Sequence, residues 1–231
     1  MELTVTLWLW VGAVGMALGT LVPLGRFVRD EESRVYTAVL TGVTAIAAVA
    51  YALMAQGYAV SLPGLEGVEL VRYVDWLLTT PLMVLYLGLL SRSGPRVYAA
   101  LVAADVVVVT SGVVAAALSG PTRYVAFGVG AVAYLVLSYL LLRTLPRRAS
   151  FQSGDHVATF TTVRNLTVVV WSLYPVVWLL APTGVGLLLP ETQVLVMTYL
   201  DLVSKVGFVV VAVRGLDGIT SHGTARTTTA D

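Results

Sequence analysis

The sequence predicts an all-α membrane protein: one bundle of seven transmembrane helices. Three observations carry this expectation. Of 231 residues, 58% are hydrophobic and only 12% charged, with a mean hydropathy of +0.87, far outside the range of a soluble domain. Seven apolar runs reach the roughly 18 residues needed to cross about 30 Å of hydrocarbon as a helix. None shows sustained period-2 alternation, which favours helices over a transmembrane barrel, and lipid admits only those two.

The runs cover 3–24, 34–58, 70–90, 96–118, 122–142, 157–181 and 188–213. The first opens with MELTVTLWLW, which lacks a basic stretch and a small-residue cleavage site, so it reads as a helix rather than a removable signal. Between the second and third runs, SLPGLEGVEL combines Pro and Gly with alternating apolar positions, a short hairpin placed to act as a lid. Pro81 and Pro175 fall inside the third and sixth runs and are expected to kink helices that tolerate them in a membrane. After the seventh run, GITSHGTARTTTAD is small, polar and aperiodic. The expected organisation is a seven-helix domain over 1–215 and a disordered tail over 216–231, with no internal repeat.

Basic residues in short connections stay on the cytoplasmic side. Eleven of the fourteen fall on one side of the expected bundle, from Arg26, Arg29 and Arg34 through Arg92 and Arg96 to Arg214 and Arg226. The N-terminus is therefore expected outside, with the hairpin, and the C-terminus in the cytoplasm. The basic collar forms no stripe that would suit nucleic acid. Zero cysteines exclude disulfides and thiolate chemistry. His156 and His222 read as loop and tail residues without partner acids, so metal binding is not expected. No nucleophile and base pair suggests an enzyme.

What remains is charge at membrane depth, where each ionised group costs a few kcal/mol on lenient scales. In RYVDWLLTTPL, residues Arg72, Asp75, Trp76, Thr79 and Thr80 share one helical stripe, and Asp201 and Lys205 lie four apart in YLDLVSKVGF. For Arg72 taken alone, the lesser alternative is a snorkelling end residue. Lys205, two turns from its helix end, is either one member of a structural ion network or a nucleophilic amine able to form a Schiff base with an aldehyde. With Arg72 and a protonated Schiff base set against Asp75 and Asp201, the charges sum to zero, as a dry interior requires. Trp171, Tyr174 and Trp178 lie at i, i+3 and i+7 on the sixth helix, with Trp76 available opposite; such a stripe is either packing or the wall of a slot.

RYVDWLLTTPL, RNLTVVVWSLYPVVWLL and YLDLVSKVGF together resemble the third, sixth and seventh helices of the archaeal microbial rhodopsins, with the likeness strongest to the sensory rhodopsin II (phoborhodopsin) group. The resemblance implies all-trans retinal joined to Lys205, in a slot lined by Trp76, Thr80, Val108, Gly112, Phe127, Gly130, Trp171, Tyr174 and Trp178. It implies Asp75 as counterion and proton acceptor, assisted by Asp201, Arg72 and Thr79. Asp105 is expected to hydrogen-bond Thr80 near the chromophore ring, where small residues favour blue to blue-green absorption. Tyr174, Tyr199 and Ser204 are the expected signalling hydroxyls, facing a two-helix membrane transducer of the methyl-accepting type at the sixth and seventh helices. The function implied is phototaxis from the cell membrane. Family pumps hold a proton-donating carboxylate where Tyr86 stands here, and a phenol with an unperturbed pKa near 10 is a poor donor. Their outer glutamate pair corresponds to Thr183 and Gln193, while Glu191 reads as a solvated loop acid. A slow cycle follows, which suits a sensor. The alternatives left open are a light-driven outward proton pump with a slow photocycle and a non-photoactive transporter.

Overall fold

The computed structural model describes residues 3–58, 65, 69–148 and 154–216. Among them every regular element is helical, and seven helices are long and apolar enough to cross a membrane. They are α1 Leu3–Arg29, α2 Arg34–Ala55, α3 Leu70–Ser91, α4 Pro95–Ala117, α5 Thr122–Arg147, α6 Gly154–Leu180 and α7 Pro190–Leu216. The chain is a multi-pass membrane protein. The hairpin expected within 61–70 lies mostly outside the described residues, as does the tail after Leu216.

Each apolar run became a helix, and the ends follow local chemistry. α1 continues to Arg29 because Arg26 and Arg29 occupy its last turn, where cations meet the free carbonyls. Arg26 also bonds Asp30 at 3.0 Å and the Val213 carbonyl at 3.4 Å, tying the end of α1 to the end of α7. α4 and α7 both start with Pro at the first helical positions, where its missing N–H costs nothing. The turn between α3 and α4 is closed by Arg92 in the left-handed region, φ 51°.

Three helices depart from regular geometry. α6 is interrupted at Ser172, between segments Gly154–Trp171 and Leu173–Leu180, because Pro175 has no N–H to offer the Trp171 carbonyl. α3 runs unbroken across Pro81. α5 and α7 each contain a π-helical turn, at Leu140–Thr144 and Leu202–Gly207. The second of these carries Lys205, and such turns recur at functional positions.

His156, expected in a loop, lies instead in the first turns of α6 and is buried. Its Nε2 sits 2.6 Å from the Leu90 carbonyl of α3; a carbonyl only accepts, so Nε2 carries the hydrogen. A polar residue near a span end was read as loop because its partner lies on another helix.

The main core, at the arginine-rich end, packs Leu40, Met83, Leu87, Leu137, Phe160 and Phe208. Two glycines set helix spacing. A Cβ at Gly12 would lie 2.3 Å from the Tyr51 ring, and one at Gly88 would lie 2.1 Å from the Tyr98 ring, so in each case the aromatic ring sits on bare backbone. Gly88→Ala is expected to lower stability by about 1–3 kcal/mol through overpacking. Thermal unfolding in detergent would register this as a reduced midpoint; an unchanged midpoint would show that Tyr98 swings aside freely.

Candidate functional site

The polar stripes expected on α3 and α7 face each other across the bundle axis. Lys205, 1% exposed, is hydrogen-bonded through Nζ to Asp75 Oδ2, itself 1% exposed. Both residues come from helices that bury about half of their apolar windows, so the pair is enclosed by protein rather than lipid. An isolated charge there would be prohibitive, and pairing is the arrangement that tolerates it. Snorkelling is not available to either.

Asp201 lies one turn before Lys205 and is saturated with donors. Tyr51 Oη donates to Oδ2 at 2.6 Å, and Arg72 Nη1 reaches the same oxygen at 3.4 Å. Tyr174 Oη donates to Oδ1 at 2.7 Å and Trp76 Nε1 at 3.2 Å. Asp75 contrasts with this. Its Oδ2 has Lys205, while its Oδ1 is buried with no hydrogen-bond partner among the described residues. Two carboxylates thus occupy unlike surroundings: four donors fix one, and one donor holds the other.

Arg72 is buried, not snorkelling: at 4% exposure it binds Asp201, Tyr51 at 3.1 Å and, through Nε, Glu69 at 2.8 Å. Its guanidinium also lies 5.5 Å from the Tyr51 ring centre, a cation–π distance. Thr79, expected to assist Asp75, donates to the Asp75 backbone carbonyl at 2.7 Å. That is the ordinary i−4 bond of a helical threonine, so its hydroxyl supports the helix rather than the charge.

A cavity of about 370 Å³ begins at Lys205 and runs between α3, α4, α5, α6 and α7, within the size range of small-molecule sites. Trp76, Trp171, Tyr174 and Trp178 line it, as their shared helical faces anticipate. Phe127 stacks on Trp178 with ring centres 4.7 Å apart, and Tyr174 meets Trp76 edge-on at 5.3 Å. Val108, Gly112 and Gly130 form the far wall. There Thr80 Oγ1 donates to Asp105 Oδ2 at 2.8 Å, as expected.

Tyr174 also contacts Ser204 Oγ at 3.0 Å, so one hydroxyl joins α6 to both Asp201 and Ser204 of α7. Tyr199 is apart from this group: it is 67% exposed, on the outer face of α7, and Leu189 just before the helix is 69% exposed. Tyr86 lies on the Asp75 face but toward the arginine-rich end, fully buried, donating to the Ala212 carbonyl at 3.3 Å and packed on Phe208. Thr183 and Gln193 line the other end of the cavity.

Two participants were not anticipated. Tyr51 sits in an apolar helix with no charged neighbour in sequence, so only its position across from Asp201 reveals it. Glu69 immediately precedes a span and reads as a loop acid; its three-residue spacing from Arg72 was the available signal.

Comparison with known proteins decides the family. The model describing bacteriorhodopsin-like proteins matches residues 3–219. The chain belongs to the bacteriorhodopsin-like family. Sensory rhodopsin-2 of Halobacterium salinarum is 48% identical over 94% of this chain and 91% of that protein. Sensory rhodopsin-2 of Natronomonas pharaonis is 43% identical over 86% of this chain and 84% of its own length. Among solved structures, thermophilic rhodopsin from Rubrobacter xylanophilus superposes with a TM-score of 0.85 at 36% identity, covering 91% of this chain and 95% of that one. For a bacteriorhodopsin-like bundle the buried Lys205–Asp75 pair and the aromatic cavity are the features that bear on chemistry.

Proposed function

We propose that this protein is a phototaxis photoreceptor that holds all-trans retinal at Lys205 and signals through a two-helix membrane transducer. The observation that carries the reading is the pairing of a buried carboxylate with a buried amine that lines an aromatic cavity. The residues suit retinal on three counts. Lys205 supplies an amine on the cavity wall, aromatic rings flank the space beyond it, and Asp75 Oδ1 is a buried acceptor with capacity to spare.

When bound, retinal would supply an imine linkage to Nζ and a polyene that changes isomer on absorbing visible light. The chain's own groups do the rest. Asp75 offsets the positive charge at Nζ and accepts its proton, because its oxygens are less committed than those of Asp201. Asp201 stays fixed by Tyr51, Trp76, Tyr174 and Arg72 and keeps the site neutral. Trp76, Trp171 and Trp178 hold the ligand and exclude water. Asp105 with Thr80, beside Gly112 and Gly130, sets the polarity at the ring end and favours blue to blue-green absorption.

Transmission to a partner would start at Tyr174, which bridges α6 to Asp201 and Ser204. Tyr199 on α7 and Leu189 just before it present exposed surface for the transducer helices. The positive-inside rule supports a cytoplasmic arginine-rich end. The names of the sensory relatives support a sensor over an outward pump, and so does Tyr86: no carboxylate stands in its place to return a proton quickly. The functional test is light-induced pH change in vesicles without a partner. A weak transient fits a sensor, and large sustained acidification outside would replace it with a pump.

Tyr86→Asp is expected to shorten dark recovery by about tenfold or more, since a carboxyl is a competent proton donor in this position. Flash photolysis at the absorbance maximum measures it. An unchanged lifetime would remove the missing donor as the cause of slow recovery.

A further inference from the structure

We propose that Glu69 is the group through which protons pass between the buried charge network and the solution at the α3 N-terminal end. The inference rests on the retinal-binding reading above. Three carboxylates line the cavity among the described residues: Glu69, Asp105 and Asp201. Asp105 and Asp201 are sealed, at 1% and 0% exposure, whereas the Glu69 side chain is 53% exposed. Its Oε2 accepts from Arg72 Nε at 2.8 Å, and Arg72 Nη1 continues inward to Tyr51 and Asp201. Glu69 is therefore in contact with water on one side and with the buried network on the other.

The groups facing this end are few. Arg72 on α3 keeps its charge at any physiological pH, so it orders the path without carrying the proton. Tyr51 of α2 is committed to Asp201. Thr183 and Gln193 of the same cavity have no side chain that titrates near neutrality. Tyr73 also lines the cavity, and among the described lining residues Glu69 supplies the one exposed carboxylate. In the return step the O–H bond on Asp75 breaks and a Glu69 carboxylate oxygen gains the proton, opening its pair with Arg72. Glu69 then gives the proton to water and re-forms the pair. The net change is one proton moved from Asp75 to solution.

The test uses the whole protein in nanodiscs with a pH-sensitive dye, comparing wild type, Glu69→Gln and Glu69→Asp after a flash. Expected results are proton appearance slowed about tenfold or more in Glu69→Gln and a rate near wild type in Glu69→Asp. A wild-type rate in Glu69→Gln overturns the proposal and leaves the photoreceptor reading intact. A second readout needs no retinal: the ¹⁵N resonance of Arg72 Nε followed against pH in the retinal-free protein. A pH-dependent step that vanishes in Glu69→Gln supports the coupling, and a flat wild-type trace overturns it. If wild type shows no visible band with retinal, the photoreceptor reading itself falls.

Discussion

Lys205→Ala supplied with all-trans retinal is expected to show no visible absorbance band, while wild type purified in the same way is coloured. The expectation follows from the chain's inventory as well as its geometry. Lys205 is the sole lysine in the sequence, so no second side-chain amine can take over the linkage. The substitution also removes the partner of Asp75 at a site that is almost fully buried. Leaving that carboxylate alone would cost about 3–5 kcal/mol if it stayed charged, so the variant should also unfold at a lower temperature. Absorbance after reconstitution measures the first effect and thermal unfolding the second. Lys205→Arg separates them: it restores a positive charge beside Asp75 without an amine able to form an imine. Recovered stability with no colour is the expected outcome. Colour in either variant would show that retinal binds elsewhere.

Asp75→Asn is expected to shift the visible band to longer wavelength and to reduce proton transfer from Nζ by about 100-fold or more, the scale on which a positioned base acts. A carboxylate hydrogen-bonded to Nζ stabilises positive charge at that end of the ligand before light is absorbed. An amide removes the charge and keeps the shape, so excitation costs less energy. The same change made at Asp201 should behave differently, because Tyr51 and Arg72 share one oxygen and Tyr174 and Trp76 the other, so an amide leaves one of these two donor pairs facing an NH2 that donates rather than accepts. Spectra taken with flash photolysis distinguish the two. Equal effects at both positions would mean that the donor count does not decide which carboxylate takes the proton.

Much of this architecture was legible in the sequence because lipid imposes simple requirements. Hydrocarbon thickness fixes the length of each apolar run, and all seven runs became helices. Their ends were less legible: α1 passes the expected limit at 24 to reach Arg29, since the last turn draws its support from arginines rather than from apolarity. Charges inside a span are rare, so spacing grouped Arg72 with Asp75 on one helix and Asp201 with Lys205 on another, and their charge balance joined the two pairs. Trp171 and Trp178 followed by the same reasoning, and the structure lines the cavity with both.

The unread features depend on distance between helices, which spacing within one helix cannot report. Tyr51 reaches Asp201 only because Gly12 lets its ring approach α1 closely. Thr79 faces inward but spends its hydroxyl on its own backbone. The π-helical turn at Leu202–Gly207 has no marker in sequence, although it sets where the Lys205 side chain emerges. His156 had a polar partner, the Leu90 carbonyl, that no inspection of its own segment could supply.

The central claim is a covalent bond at one nitrogen. Reducing the native, coloured protein with borohydride, digesting it and weighing the fragments tests it most directly. The account predicts a retinyl mass on the peptide that includes Lys205 and on no other. An unmodified Lys205 peptide from fully coloured protein would contradict it.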